Sequence, residues 1–340
     1  PGVTRIIDPG QSQITQLNEQ AMSLKVTDLQ SGDARAVYKN SGMDMRTYKR
    51  LQMFVHAEKL IDDKTNLRDG DVSVFLRLGS DSKSNYYEYE VPLSLTEPGN
   101  YSTYNAQDQE AVWPQSNMFD FPLSLFTDLK LERNAKKRMD NSTVTFQTRY
   151  SSYDPDKNQN KVTIVGNPSL SDVRTMMIGV RNNSNAAKDI VVWVNEMRLT
   201  DFDQSGGWAA KANVNLGLSD IAMLNIAGHV ETVGFGGIDQ SLTERRLDDY
   251  YQYNIATMVE LGRFLPEKVK LKAPLFYSIT EQRTSPKYNP LDQDILLKDA
   301  LDNAGSKAER DSISDASIEK STVESFSLSG VSFDIRSKNP

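Results

Sequence analysis

The stretch Trp208-Ala209-Ala210-Lys211-Ala212-Asn213-Val214-Asn215-Leu216-Gly217-Leu218 decides the fold. Trp208, Ala210, Ala212, Val214, Leu216 and Leu218 fall on one parity, and Lys211, Asn213 and Asn215 on the other. A period of two belongs to a β-strand with one apolar and one polar face, because successive side chains leave a strand in opposite directions. Its length is close to the roughly 9–11 residues that an inclined strand needs to cross the hydrocarbon layer of a bilayer.

Three further runs repeat the pattern. Leu224, Ile226, Gly228 and Val230 oppose Asn225, Ala227, His229 and Glu231. Tyr251, Tyr253, Ile255, Thr257, Val259 and Leu261 oppose Gln252, Asn254, Ala256, Met258 and Glu260. Val269, Leu271, Ala273, Leu275, Tyr277 and Ile279 oppose Lys270, Lys272, Pro274, Phe276, Ser278 and Thr280. Pro274 is discordant, since proline cannot donate to a ladder. Trp208, Tyr251, Tyr253 and Tyr277 lie toward the ends of the runs, where an interfacial girdle would place them.

A soluble antiparallel sheet with one wet face shows the same alternation. The connections favour a membrane barrel. They alternate short and long: 219–220, 232–249, 262–268 and 281–322, before a strand-like run at 326–333. Outer-membrane barrels pair short periplasmic turns with long extracellular loops. The expectation is therefore that residues 206–340 are antiparallel strands of a very large outer-membrane β-barrel. Trp208, Ala210, Ala212, Val214, Leu216, Leu224, Ile226, Val230, Tyr251, Tyr253, Ile255, Val259, Leu261, Val269, Leu271, Leu275, Tyr277 and Ile279 would face lipid. Lys211, Asn213, Asn215, Asn225, His229, Gln252, Asn254, Glu260, Lys270 and Lys272 would face the lumen. The long loops would be extracellular.

Residues 1–205 alternate over shorter runs. Leu51, Met53, Val55 and Ala57 share a face, as do Val72, Val74, Leu76 and Leu78. Further strands are expected at 86–93, 34–39, 143–150, 161–165, 175–180 and 189–199. One helix is expected near 122–138, with Leu125, Phe126 and Leu129 at helical spacing and a basic end that suits a helix C-terminus. Some eight strands with long connections predict a jelly-roll-like β-sandwich rather than a parallel sheet, so the chain as a whole reads as all-β. By the barrel topology, the sandwich too lies outside the cell.

Tyr86, Tyr87, Tyr89, Tyr101, Tyr104 and Trp113 are candidate sugar-stacking platforms, with packing of the sandwich as the alternative role. A soluble extracellular carbohydrate-binding module with an accessory β domain is therefore the competing reading.

The remaining chemistry is sparse. With 39 Lys+Arg against 46 Asp+Glu the formal charge is -7, which argues against a nucleic-acid partner. The absence of cysteine excludes disulfides and thiolate chemistry. Gly234-Phe235-Gly236-Gly237 lacks the Lys-Ser/Thr of a phosphate loop. The two histidines, His56 and His229, fall in different units, so no histidine triad or metal centre is expected. Asp292 and Asp294 offer oxygen ligands to calcium, but read better as a turn before a short helix at 295–301. The acidic, Ser-rich stretch 302–320 reads as a mobile or weakly helical loop. No catalytic residue, cofactor or metal site is expected. Both ends of the chain read as cut from something longer.

Several segments resemble the SprA/Sov family in order along the chain. They are Pro1-Gly2-Val3-Thr4-Arg5, Leu17-Asn18-Glu19-Gln20, YKRLQMFVHAE (48–58), WVNEMRLTDF (193–202), VGFGGID (233–239), LGRFLPE (261–267) and YNPLDQDI (288–295). The resemblance implies an internal fragment of the outer-membrane translocon of the Bacteroidetes type IX secretion system, which exports folded cargo proteins and supports gliding motility. It implies no enzymatic chemistry. It also implies an accessory outer-membrane barrel at a lateral gate, a periplasmic plug, secreted cargo and outer-membrane lipid as partners.

Overall fold

The computed structural model describes residues 21–102, 104–241 and 244–333. The resembling segments at 1–5 and 17–20 lie outside the described residues. The chain is all-β, built of antiparallel sheets of which none closes. It divides into two compact units that meet between Asp203 and Gln204.

In the first unit the strands are β1 (Met22–Leu29), β2 (Ala34–Met43), β3 (Tyr48–Glu58), β4 (Val72–Gly79) and β5 (Tyr86–Pro92), then β6 (Phe119–Pro122), β7 (Tyr150–Tyr153), β8 (Lys161–Val165), β9 (Val173–Asn182) and β10 (Lys188–Phe202). One sheet has the order β1-β10-β3-β6, the other β2-β9-β4-β5-β8-β7. The first strand pairs with the last and the second with the next to last, the nested pairing of a jelly roll. Leu51, Met53, Val55, Ala57, Ile190 and Val192 of one sheet meet Val74, Leu76, Leu78, Tyr87, Tyr89 and Ile164 of the other in one core, each almost wholly removed from water. Burying a side chain of this size contributes about 1.5–3 kcal/mol.

The helix α1 (Ala106–Val112) has no counterpart in the sequence reading, being short and without a buried residue. Asn105 caps it by accepting the Gln107 N–H at 3.0 Å. The expected helix is α2 (Ser124–Lys137), and it buries Phe126 and Leu129. Pro122 closes β6 instead of opening the helix. The strand expected at 143–150 is a correction: Thr145 and Thr148 bond each other's backbone N–H with their hydroxyls at 3.1 and 2.6 Å, and the ladder starts only at Tyr150.

The second unit contains β11 (Ala209–Leu218), β12 (Ala222–Glu231), β13 (Asp248–Glu260), β14 (Leu271–Lys272), β15 (Pro274–Pro286), β16 (Tyr288–Asn289) and β17 (Asp292–Leu296). The helices α3 (Leu297–Asp302) and α4 (Lys307–Ser317) follow, then β18 (Glu319–Leu328) and β19 (Ser332–Phe333). The main sheet has the order β11-β12-β13-β15-β18. Lys270, at φ 47°, breaks the run expected from Val269 to Ile279, and β15 starts at Pro274, the first strand position, where proline is tolerated.

The loop expected at 281–322 is also a correction. β15 runs on to Pro286, and 287–318 folds as a β-hairpin and two helices around Ile295, Leu297 and Ala300. Ser306 accepts the Glu309 N–H at 3.1 Å, so the stretch 302–320 is ordered by a Ser-x-x-Glu cap at the start of α4.

Candidate functional site

Directly paired residues of an antiparallel sheet project to the same face, so the register gives each face of the five-stranded sheet row by row. One row is Leu218, Ala222, Val259, Leu275 and Leu328. The next is Leu216, Leu224, Thr257, Tyr277 and Phe326, and then come Val214, Ile226, Ile255, Ile279 and Glu324. Beyond these lie Ala212, Gly228, Tyr253, Glu281 and Thr322, and last Ala210, Val230, Tyr251, Arg283 and Lys320.

The apolar band therefore slants. On β11, β12 and β13 it spans all five rows, but on β15 it stops at Ile279 and on β18 at Phe326. The edge that passes Tyr251 would meet β18 at Lys320 if it followed the hydrogen bonds; it meets it six residues further along, at Phe326. The aromatics Trp208, Tyr251, Tyr253, Tyr277 and Phe326 descend with it. At the other end, β13 and β18 are continued by the exposed Leu261, Phe264, Val331 and Phe333.

Opposite lies a face of short polar side chains. Lys211, His229, Gln252 and Gln282 form one row, Asn213, Ala227, Asn254 and Thr280 the next, then Asn215, Asn225, Ala256 and Ser278. The Asn225 amide donates to Asn213 Oδ1 at 3.0 Å and to Asn215 Oδ1 at 2.5 Å, and the Asn254 amide to Thr280 Oγ1 at 2.7 Å. Charges gather at the end of the sheet where β12 leads into the 232–247 connection. His229 Nε2 sits 3.0 Å from Glu231 Oε1, and Arg246 pairs with Glu231 and, at 2.6 Å, with Asp248.

Of the residues assigned to the apolar face, Ala210, Ala212, Val214, Leu216, Leu224, Ile226, Val230, Tyr251, Tyr253, Ile255, Val259, Leu275, Tyr277 and Ile279 share it, and Trp208 immediately precedes β11. Leu261 and Val269 instead lie in 3-10 turns, and Leu271 pairs with Phe333 in a separate ladder. On the polar side Lys211, Asn213, Asn215, Asn225, His229, Gln252 and Asn254 lie together. Lys270 and Lys272 fall outside the sheet, and the Glu260 carboxylate accepts the Gly262 and Ala273 N–H groups at 3.3 and 2.5 Å. These misplacements share one cause, the break at 261–273.

Parity already puts Met258 and Phe276 on the polar side, but the expected lumen-facing set leaves them out and Met223 goes unread; the three are adjacent and exposed in a row on the polar face. Sequence reasoning also missed the first part of β18, whose Lys320 and Thr322 read as loop because they lie beyond the slanted edge.

Both sheet faces are open to solvent. Val214 is 49% exposed, Leu216 47% and Phe326 72%, and among the described residues neither β11 nor β18 has a partner on its outer edge. No helix of the described residues is long and apolar enough to cross a membrane, which bears only on helical spans. Among the same residues no three His, Asp or Glu side chains are grouped to hold a metal ion. Asp294 is buried in β17, and Asp292 opens that strand opposite Asn289.

The amino-terminal SprA family model, described as a motility related/secretion protein, matches residues 1–301. The chain belongs to this family. No curated protein matches it. The SprA match takes in the whole sandwich and the sheet through β17, ending within α3, so β18 lies beyond it.

Proposed function

We propose that this chain supplies strands to the wall of the protein-conducting outer-membrane channel of type IX secretion, through which folded cargo leaves the cell and on which gliding motility depends. It performs no chemistry of its own. The observation that carries the reading is the slanted apolar band. In a barrel wall the strands are inclined to the membrane normal by about 40°, with neighbours about 4.8 Å apart and a rise of about 3.4 Å per residue. A line of constant depth then advances about 1.2 residues per strand, or about five over four steps. Followed from Ala210 on β11, the edge of the band advances six residues over the four steps to Phe326 on β18, all of them beyond Tyr251, and this total is close to that inclination. A soluble sheet buried against a second layer has no such requirement.

Five strands cannot enclose a lumen, so both bare edges continue into other strands of the wall. Lipid covers the Val214 face, and the Asn213 face, uncharged through its middle rows, lines an aqueous passage. Short amides and hydroxyls in those rows offer a translocating protein no strong charge to adhere to, while Met223, Met258 and Phe276 form an apolar row beside them. The sandwich and the folded insertion 287–318 lie on the extracellular side. An accessory barrel at a lateral gate and a periplasmic plug complete the assembly.

The natural absence of cysteine permits single nitroxide labels. In outer-membrane vesicles, labels at Val214, Ile226, Ile255 and Ile279 are expected to collide with oxygen, and labels at Asn213, Asn225, Asn254 and Thr280 with a water-soluble nickel complex. Equal collision profiles on the two faces would sink the proposal.

A further inference from the structure

The second concentration of unusual chemistry is in the sandwich, on the face of the six-stranded sheet turned away from the core. Pairing brings Glu88 and Glu90 of β5 beside Arg77 and Phe75 of β4, and Thr163 and Lys161 of β8 on the other flank. Glu88 is completely buried although it lies on the outer side of the sheet. Three guanidinium groups cover it: Arg77 Nε at 2.5 Å, Arg149 Nη2 at 2.5 Å and Arg181 Nη2 at 3.1 Å. Glu90 accepts from Arg181 and from the Ser73 hydroxyl, and Arg149 approaches it at 3.9 Å. Phe75 supports two of these cations, with Arg77 and Arg181 at 5.1 and 4.7 Å from its ring centre.

The charges do not balance. Three arginines oppose two glutamates, and Lys161, at the rim, has no acidic partner among the described residues. Arg149 spends only Nη2 on the glutamates, and its side chain is 42% exposed. The surplus of two positive charges borders a cavity of about 370 Å³, within the roughly 300–1,000 Å³ of small-molecule sites. Tyr153 stands at its edge, 62% exposed and paired in register with Lys161. Gln159 and Asn183 add amides.

We propose that this cavity binds a sugar bearing a carboxylate. The anion meets Arg149 and Lys161, where charge is unspent, and the ring packs on Tyr153, whose apolar body and polar tip suit a sugar face. The rigid Glu88–Glu90 cluster holds the guanidinium groups in place before the ligand arrives, which lowers the ordering cost of binding. The site is independent of the membrane reading of the five-stranded sheet.

The test is calorimetric titration of the full chain in detergent with a galacturonic acid trimer, with a neutral galactose trimer as comparison. Saturable binding of the acidic trimer is expected, weakened by added salt, with the neutral trimer at least about tenfold weaker. Lys161→Gln is expected to cost about tenfold toward the acidic trimer with the melting temperature unchanged, and Tyr153→Ala to weaken both sugars. Absence of saturable binding by the acidic trimer, equal affinity for the neutral one, or salt-independent affinity would each overturn the proposal without recourse to a variant.

Discussion

The sandwich and the five-stranded sheet are written in the same alternating pattern and differ in what meets their apolar face. Val74, Leu76 and Leu78 of β4 have lost all contact with water, because the β3 and β10 side chains lie across from them. Val214, Leu216 and Ile226, equally apolar and equally alternating, are 40–49% exposed, because nothing among the described residues lies across from them. Alternation thus fixes the strand and the face, and leaves the covering medium to be decided by the rest of the molecule or by its surroundings.

The comparison breaks first on truncation. Leu76→Ala opens a cavity between two sheets that cannot follow it, and is expected to cost about 2–5 kcal/mol. On the proposed barrel-wall reading, Leu216→Ala removes a similar side chain from a face that detergent covers and refills, so its cost should stay below about 1 kcal/mol. Denaturant melts of the two variants in detergent measure both. Equal costs would mean that the Leu216 face is packed against protein.

Charge insertion sharpens the same contrast. Ile255 sits in the middle of the apolar band and Asn254 next to it on the polar face. If that band faces lipid as proposed, Ile255→Arg is expected to destabilise the protein in bilayers by about 2–4 kcal/mol, the cost of a cation near the membrane midplane. Asn254→Arg should change stability by less than about 0.5 kcal/mol, as substitutions on wet surfaces do. Equilibrium unfolding from lipid vesicles reads the difference, and a reversed order would place lipid on the Asn254 side.

Much of this was legible because a two-residue period needs no long-range knowledge. The faces of β11, β12 and β13 follow from parity alone, and so does the buried set Leu51, Met53, Val55 and Ala57. The failures lie where parity is reset. Lys270 adopts a left-handed conformation and the chain turns twice between Leu261 and Ala273, so Leu261, Val269, Leu271, Lys270 and Lys272 could not be carried forward from the preceding run. The first part of β18 was hidden for a different reason, since its Lys320 and Glu324 look wrong for an apolar face until neighbouring strands show that the band has already passed below them. The candidate anion site was invisible, because Glu88, Arg149 and Arg181 are brought together only by pairing across the sheet.

The smallest expected effect separates the units by acid. Asp81 organises the connection from β4 to β5 in the sandwich. Burial raises its carboxyl pKa, but the N–H groups of Ser84, Lys83 and Asn85 and the Asn85 amide outweigh this and hold it at about 2. A carboxylate depressed in the folded state stabilises that state above its unfolded pKa, about 3.9, and the contribution disappears as pH falls through the folded value. Asp81→Asn cannot titrate. The stability gap between wild type and this variant should therefore be full above about pH 4 and shrink toward pH 2. Followed by the near-ultraviolet signal of the sandwich aromatics, the narrowing belongs to the first unit only: Tyr89 stacks on Phe121 at 3.9 Å within that core and reports its loss directly. A gap that stays constant from neutral pH to pH 2 would mean that Asp81 acts through its shape and not its charge.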